Sequence, residues 1–446
     1  MKYVLLGFIL FKLLIVPGIA SGQKKFAHKP EQLPLLKSIS QNIKAKNKPF
    51  TLPAKSVTLV DALSAALRNN PMLEAYSYEI RVREAQTLQA SFLPNPEINV
   101  EIENFGGSVP LRGFNESELT LSVGQLIELG GKRSKRTEVA ALNSDLAAWD
   151  YEATKLFVFS EVVKSFNAVL AAQEKKSLQS EIIDIAEQFL QRIEYRVKAG
   201  NLSPAETARA RVELSSNRIL LQAAQRELAS ARYRLAATWG GEKPSFDSVN
   251  GDLNAIVSIP PFESVLNLIS QNPQVARWAV EMQMREQELQ LAKANRMPDP
   301  TITGGYRRLN DVHASAFVMS LSLPLQIFNR NQGNIERAKL RTRQAKYQKQ
   351  AIELDIKVRL TESYNRLASV YEEIQTLKTD ILVQAESAYQ TINQGYNMGK
   401  FSFLDLLDAQ RTLFDVRSRY LDALREYHYQ RAVIEKLVGQ DLSSLR

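Results

Sequence analysis

Four long stretches of the chain carry apolar residues at helical spacing and contain no residue that breaks a helix. Glycine and proline are absent from residues 132–199, 205–239, 334–394 and 400–438. The first stretch has 68 residues and would span about 100 Å as one helix. Its apolar positions step by three or four at Leu178, Ile182, Ile185, Phe189 and Ile193. Since globular helices average about 12 residues, the pattern predicts helical rods or coiled coils.

A second pattern, the alternation of apolar and polar residues, predicts short β-strands between the helices. Residues 97–103 alternate without a fault, and residues 119–123 do so after a loop rich in glycine, proline and asparagine. Two further runs, at 301–306 and 317–324, repeat the pattern, with Val318 as an imperfection. A period of two is typical of a strand whose two faces differ in polarity. Each pair of runs is therefore expected to form one β-hairpin.

The body of the chain is an internal duplication. Asn-Pro at 70–71 recurs at 272–273, and Leu-Pro-Asn-Pro at 93–96 recurs as Met-Pro-Asp-Pro at 297–300. A near-constant offset between matching motifs indicates two copies of one supersecondary unit of about 200 residues. We expect the two copies and their hairpins at these positions: repeat 1 at 57–250 with hairpin 97–126, and repeat 2 at 251–446 with hairpin 301–325.

The polar face of the strands bears on whether they lie in water or in a membrane. This face carries Asn99, Glu101, Glu103, Thr120 and Ser122. In a soluble protein the hairpins would bury their apolar face and leave these side chains in water. However, strands of about 9–10 residues with aromatic residues near their ends are typical of tilted transmembrane strands. Four strands do not close a membrane barrel, so a membrane setting requires two copies with eight strands or three copies with twelve.

The N-terminal region has the pattern of an exported protein. Within residues 1–22, Lys2, an apolar run interrupted at Lys12, and Pro17-Gly18 followed by small residues predict a cleaved signal peptide rather than a membrane anchor. No lipid anchor is expected at the N-terminus because the chain has no cysteine. Residues 23–56, rich in lysine and proline, are interpreted as a solvated linker in preference to a docking segment. No later stretch is expected to be a transmembrane helix.

Composition excludes several classes of function. The formal net charge is +9, and residues 1–56 hold ten basic residues and one acidic residue, which leaves 57 − 10 = 47 basic and 48 − 1 = 47 acidic residues in the body. A balanced body gives no reason to expect a nucleic-acid partner. The absence of cysteine and the three scattered histidines disfavour disulfides and metal centres. Gly130-Gly131-Lys132 lacks the spacing of a phosphate-binding loop, so neither a catalytic site nor a cofactor is expected.

Together these features resemble the outer-membrane factor family, the TolC-like proteins of tripartite efflux and secretion systems. The resemblance covers about residues 57–446 and rests on the duplicated helix–hairpin–helix plan. Three motifs look most like the branch that works with heavy-metal cation exporters (CzcC-like): Leu-Pro-Asn-Pro at 93–96, Glu-Leu-Gly-Gly-Lys-Arg at 128–133 and Pro-Leu-Gln-Ile-Phe-Asn-Arg-Asn-Gln-Gly at 324–333.

The resemblance implies a mainly α fold with a β-barrel contribution. In such a homotrimer, four strands per chain form a twelve-stranded barrel in the lipid of the outer membrane, and the long helices form a barrel in the periplasm. The implied partners are a periplasmic adaptor protein and an inner-membrane efflux pump of the RND type.

The most informative segment, residues 395–409, is expected to form a helix–helix tip. Gly395 and Gly399 break the long helix and turn the chain back. Asp405 and Asp408 are three positions apart and share one face of the next helix. In a three-fold assembly they would form two stacked carboxylate rings, which attract cations. The alternative is a solvated helix start, where carboxylates are favourable in any case.

The resemblance assigns this tip to the periplasmic gate of the family. The family's gate has a tyrosine before the glycine and two aspartates after it, and Tyr396, Asp405 and Asp408 match that pattern. In repeat 1, Glu206 takes the acidic gate position. A basic gate residue of the family would fall at Phe401, where this chain departs, and this departure puts a Tyr–Arg latch in doubt.

The two tips are also expected to contact the periplasmic adaptor, with plain turn chemistry as the alternative. The residues concerned are Gly200, Asn201, Leu202, Ser203, Gly399, Lys400, Phe401 and Ser402.

These observations favour a passive exit duct of the outer membrane, with heavy-metal cations as the first expected cargo. A duct for drugs or for type I secretion is the alternative within the same class. The alternative of another class is a coiled-coil scaffold without a pore.

Overall fold

The computed structural model describes residues 55–442, which form long helices with a four-stranded sheet at one end. The expected signal peptide at 1–22 and all but the last two residues of the expected linker at 23–56 lie outside the described residues. In chain order the elements are β1 (Ser56–Thr58), α1 (Leu59–Asn69), α2 (Pro71–Ser91), β2 (Glu97–Glu103), β3 (Glu118–Leu126), α3 (Lys132–Lys198), α4 (Pro204–Ala237), β4 (Ser248–Asn250), α5 (Phe262–Leu266), α6 (Pro273–Ala294), β5 (Thr301–Leu309), β6 (Ala314–Ser322), α7 (Gln332–Thr376), α8 (Leu382–Asn397) and α9 (Phe403–Val438).

The helices begin and end where the sequence supplies caps. Thr58 and Asp61 form a reciprocal capping box at the start of α1, in which each side chain satisfies a backbone N–H that the first turn leaves unpaired. Ser203 caps α4 without a reciprocal partner, its hydroxyl accepting from the Ala205 N–H. Gly439 ends α9 in the left-handed conformation that glycine adopts at low cost. The 67 residues of α3 run without a break, as the absence of glycine and proline predicts.

The long helices pair into two hairpins. Helices α3 and α4 are joined by the five residues 199–203, and α8 and α9 by the five residues 398–402. Helices α3 and α4 pack against each other, and α9 packs on α3, α7 and α8. Helix α6 lies between α3 and α7 and so joins the two halves of the chain. These two turns, at the C-terminal ends of α3 and α8, are the tips of the hairpins.

Two hydrophobic clusters hold the helices together. The larger cluster draws on α1, α3, α7 and α9, with Phe159, Leu360, Ile374 and Tyr427 among its buried members. The smaller cluster lies at the tips and consists of Phe189, Ile193, Ala210, Tyr396, Phe403 and Leu406. Burying such side chains contributes roughly 1.5–3 kcal/mol each, so the tips have their own source of stability.

The four strands form one antiparallel sheet in the order β2-β3-β5-β6. Both expected hairpins are present, and β3 pairs with β5 to join them. Strand β2 has 7 residues, fewer than expected, whereas β3, β5 and β6 have 9.

Three features differ from the sequence expectations. Strands β1 and β4 form a short parallel pair, and Ser56, the last residue of the expected linker, belongs to it. A π-helical turn at Leu377–Ile381 joins α7 to α8. A window of α3 is apolar enough to cross a membrane by length and composition, contrary to the expectation, but 61% of it is buried inside the protein. Such burial identifies a core helix of the bundle.

Candidate functional site

The sheet exposes its apolar face. Val100, Leu121, Tyr306 and Phe317 stand opposite one another and form one row across all four strands. Every member of this row is exposed, from 47% for Tyr306 to 87% for Phe317. Monomeric soluble proteins rarely leave a contiguous apolar surface of this kind in water.

The opposite face of the sheet is polar and partly buried. The neighbouring row contains Glu101, Thr120 and Arg307, and Thr120 is only 5% exposed. Arg307 donates to the Thr120 hydroxyl over 2.9 Å and to the Glu118 carboxylate over 3.0 Å. The sheet therefore buries polar groups and exposes apolar ones. This is the reverse of what a sheet in a soluble protein does, and it is what a strand between lipid and water does.

Both edges of the sheet are open. In the part of the chain that the structure describes, β2 and β6 each pair with one strand only. An exposed edge is a row of unpaired N–H and C=O groups, and in lipid each such group costs several kcal/mol. A second strand on each edge is therefore required before this sheet is stable in a membrane.

The repeated motifs hold the junction between helices and sheet. Lys132, at the start of α3, donates to Asp299 over 2.6 Å and to the Met297 carbonyl over 2.6 Å. Asp299 also accepts from the Leu129 backbone N–H over 2.8 Å. The Gly-Gly-Lys motif of repeat 1 thus binds the Met-Pro-Asp-Pro motif of repeat 2, and both motifs serve the scaffold.

At the tip of the second hairpin, Asp405 takes part in a helix cap. Its carboxylate accepts from the backbone N–H and the hydroxyl of Ser402, over 2.8 and 2.7 Å. These hydrogen bonds lower the pKa of Asp405 below its ordinary value, so that it is ionised at neutral pH. Asp408, one turn along, is exposed. The pKa of Arg411 is raised chiefly by its hydrogen bond to Glu213 of α4, and the charge of Asp408 adds to this effect. The two carboxylates lie on the same exposed side of α9.

Tyr396 lies in the tip cluster and is 5% exposed. The centre of its ring is 6.1 Å from that of Phe189 and 5.4 Å from the guanidinium carbon of Arg196, both on α3. Its hydroxyl is buried and has no hydrogen-bond partner among residues 55–442. Tyr396 therefore contacts the first hairpin through its ring.

At the tip of the first hairpin, Glu206 is half-buried in the first turn of α4. One carboxylate oxygen lies 3.4 Å from Arg209, while the other is buried without a partner in the described chain. Glu206 therefore differs from Asp405 and Asp408, whose side chains are exposed.

The two turns present mostly exposed residues. Asn201, Ser203, Lys400, Phe401 and Ser402 are exposed, and Leu202 is partly buried. Gly200 and Gly399 both adopt positive φ angles of 77° and 76°, a conformation that glycine adopts readily. These backbone angles account for both glycines through turn chemistry, and the exposed neighbours leave the tips accessible.

Sequence reasoning missed two of the arginines at these sites. Arg307 lies on β5 two residues after Gly305. The alternation of the strand could therefore have predicted that it lies on the polar face. Arg196 lies 200 residues before Tyr396 in the chain, and no local pattern indicates their contact.

The most perturbed carboxylate lies away from the sheet and the tips. Glu435 accepts from Arg431 over 2.8 Å, and its side chain is 16% exposed. Burial raises its pKa to about 7. In residues 55–442 no group of three or more histidine, aspartate or glutamate side chains is placed to hold a metal ion.

Comparisons with known proteins agree with this architecture. A family model described as outer membrane efflux protein matches residues 62–241 and 266–440. The cobalt-zinc-cadmium resistance protein CzcC of Cupriavidus metallidurans is 33% identical over 387 residues, which cover 87% of this chain and 91% of that protein. The pyoverdine export outer membrane protein OpmQ of Pseudomonas aeruginosa is 24% identical, over 79% of this chain and 78% of that protein. The Neisseria gonorrhoeae MtrE outer membrane channel, solved in its open state, superimposes with a TM-score of 0.68 at 19% identity, over 86% of this chain and 89% of that one.

Proposed function

The chain belongs to the outer membrane efflux protein family, and from this premise we propose that it is the outer-membrane duct of a tripartite system that exports heavy-metal cations. The duct is passive, and an inner-membrane pump of the RND type delivers cargo to it through a periplasmic adaptor protein.

One observation carries the proposal: within residues 55–442 the sheet exposes an apolar row and has both edges unpaired. Lipid is the solvent that favours the first feature, and a strand from another copy satisfies the second. Three copies supply twelve strands, enough to enclose an aqueous passage lined by the polar face.

The helices also leave surface for other copies of the chain. On α7, Leu340, Tyr347 and Leu354 recur at intervals of seven and are exposed. On α4, Val212 and Ile219 do the same. Exposed apolar residues at heptad spacing are the pattern of helices that pack against further helices. This pattern supports a homotrimer in which the helices close a second barrel in the periplasm.

Two adjacent positions on β2 test the membrane setting. Val100 lies in the exposed apolar row and Asn99 lies on the polar face. Val100→Arg should abolish insertion, since an arginine on the lipid face costs about 2–4 kcal/mol at the membrane midplane. Asn99→Arg, the matched control, should still insert. The measurement is the amount of protein in the outer-membrane fraction and its conductance in planar bilayers. Equal insertion of the two variants would exclude the duct and favour the scaffold.

We propose further that Asp405, Asp408, Tyr396 and Glu206 surround the periplasmic gate. Three copies would bring the exposed carboxylates of Asp405 and Asp408 into rings, and such rings favour cations. Tyr396 fixes the tip from within its cluster, and Glu206 supplies charge from the first hairpin.

The double variant Asp405→Gln with Asp408→Asn tests the gate without breaking the helix cap, since glutamine serves in a capping box. We expect the permeability ratio of K⁺ to Cl⁻, measured from reversal potentials in planar bilayers, to fall. Asp405→Ala, which also removes the carboxylate half of the capping box, is the comparison for damage to the helix start. An unchanged permeability ratio in the double variant would remove these residues from the pore.

The exposed tips are proposed as the contact with the adaptor. The chain has no cysteine, so Asn201→Cys or Lys400→Cys would carry its only thiol. Either variant should cross-link to the adaptor in cells, whereas Arg112→Cys, in the loop of the hairpin at the other end, should not. Equal cross-linking from all three positions would contradict the assignment.

The cargo is tested in cells. Deletion of the gene should lower the tolerated concentration of Co²⁺, Zn²⁺ or Cd²⁺, and the intact gene should restore it. The relative that exports pyoverdine makes small organic molecules the second candidate. A deletion strain that is sensitive to such compounds and resistant to metals would transfer the proposal to that cargo.

A further inference from the structure

The turn between α8 and α9 brings an aromatic ring onto a glycine. The chain turns back through hydrogen bonds from the Gly399 N–H to the Tyr396 carbonyl, 3.0 Å, and from the Lys400 N–H to the Gly395 carbonyl, 2.8 Å. Phe401 follows directly, and its ring lies on Gly395. A Cβ atom at Gly395 would overlap two ring carbons of Phe401. No real Cβ makes such contacts.

Gly395 is required by this ring and not by its backbone conformation. It lies inside α8. Its φ angle is not positive, unlike that of Gly399. Glycine inside a helix costs roughly 0.5–1 kcal/mol relative to alanine, and the ring of Phe401 occupies the space that an alanine methyl group would take at this position.

The residues beside this contact join the two hairpins. Tyr396, next to Gly395, packs against Phe189 of α3, and the ring of Phe403 lies 6.3 Å from that of Phe189. Arg196 covers Tyr396 from the same helix. The contact of Phe401 with Gly395 therefore sits at the edge of a cluster that spans both tips.

We propose that Phe401 and Gly395 form an apolar clasp that fixes the turn of the second tip, and that this turn holds Tyr396 and Phe403 against Phe189 of the first tip and positions the carboxylates of Asp405 and Asp408. The inference rests on the proposed gate and names what holds it. Phe401 and Gly395 are positioning residues, because they act through the start of α9. The family resemblance leads one to expect a basic residue at position 401. In this chain the aromatic ring of Phe401 makes an apolar contact where a charged side chain would be expected.

An apolar clasp and a charged latch respond differently to salt. Screening at 1 M salt reduces the Debye length to about 3 Å and weakens pairs of exposed charges. Contact between a ring and a helix backbone is not weakened in this way. Exposed ion pairs such as Arg411–Glu213 and Arg417–Glu181 also join the hairpins, so the salt test compares variants: the difference between Gly395→Ala and the parent should be the same at 0.1 and 1 M salt.

Five variants of the full-length protein test the clasp. Gly395→Ala places a methyl group in the ring, and Gly333→Ala is the matched control, because Gly333 is helical and a Cβ there meets no atom within 4 Å. Phe401→Ala removes the ring and Phe401→Leu keeps an apolar side chain. In Gly395→Ala with Phe401→Ala the clash no longer exists, so the double variant should match Phe401→Ala alone.

Two readouts are used. The first is the distance distribution between spin labels at Ala208→Cys and Leu404→Cys, both exposed, measured in detergent without any need for conduction. The second is the open probability in planar bilayers. Gly395→Ala and Phe401→Ala should broaden the distribution and raise the ratio of open to closed time about tenfold, the effect of about 1.4 kcal/mol. Gly333→Ala and Phe401→Leu should resemble the parent.

The outcomes separate the clasp from the duct. If Gly395→Ala behaves as Gly333→Ala does, or if the two clasp substitutions add, the clasp is wrong even though the parent conducts. If the difference between Gly395→Ala and the parent disappears at 1 M salt, a charged contact replaces the clasp. If the parent forms no channel while Gly395→Ala still broadens the distribution, the clasp stands and the duct fails.

Discussion

The ion pair between Lys132 and Asp299 should be one of the costliest contacts to break. Lys132 lies at the first turn of α3 with a side chain that is 9% exposed, and Asp299 is 20% exposed. Breaking a buried pair by removing one partner costs about 3–5 kcal/mol, because the other charge is left uncompensated. Since Asp299 keeps some contact with water, we expect about 3 kcal/mol for Lys132→Met and a similar value for Asp299→Asn.

The double variant Lys132→Met with Asp299→Asn removes both charges. Asparagine still offers an oxygen to the Leu129 N–H, so the remaining loss is that of ordinary hydrogen bonds, about 1–2 kcal/mol. The double variant should thus be more stable than either single variant. The assay is urea unfolding of the detergent-solubilised protein followed by circular dichroism at 222 nm. Arg133→Met, at the exposed neighbouring position, is the control and should cost less than about 0.5 kcal/mol.

The reasoning would be refuted if the costs of the two single variants added in the double variant. It would also be refuted if Lys132→Met cost no more than Arg133→Met. Either result would mean that the junction is held by the backbone hydrogen bonds between the strands and not by this pair.

Three further predictions follow from other parts of the chain. Burial raises the pKa of Glu435 to about 7, so between pH 4.5 and 7 the folded protein keeps a proton that the unfolded chain loses. The free energy of unfolding should therefore fall by about 3 kcal/mol over this range. Glu435→Gln should flatten this pH dependence in thermal unfolding. Arg307→Met removes a positive charge from the polar face of the sheet and should raise the cation preference of the channel in reversal-potential measurements, whereas Arg308→Met, on the opposite face, should not. Thr58→Ala removes the cap of α1 and should lower the free energy of unfolding by about 1 kcal/mol in urea titrations.

Strands and helices were predictable here because their signals are local. The period of two at 97–103 and the freedom from glycine and proline at 132–199 each depend on neighbouring residues alone, and the strands and helices form there. Membership of the family is confirmed. The limits of the two repeats, the gate and the adaptor contact stay predictions.

The features that sequence reasoning missed depend on contacts between residues far apart in the chain or on the exact path of the backbone through a turn. Strand β1 forms because Ser248 to Asn250 lie beside it, and three residues carry no period of their own. The clasp depends on how closely the turn brings Phe401 to Gly395, and the sequence shows both residues without showing that distance. The apolar window of α3 can be read from the sequence itself, but the sequence does not show that 61% of the window is buried inside the protein.

The π turn at Leu377–Ile381 has a consequence for the rotational phase of the rod that it interrupts. A π turn closes its hydrogen bonds five residues back instead of four and so takes up one residue more than an α turn. Each residue of an α-helix advances the chain by about 100° around the axis. The side chains of α8 are therefore rotated by about 100° relative to the directions they would have if α7 continued as an unbroken α-helix. Ile374 and Tyr396, on either side of the turn, both lie buried in spite of this offset. The rod therefore buries residues of α7 and of α8 at relative angles that an uninterrupted α-helix would not give them.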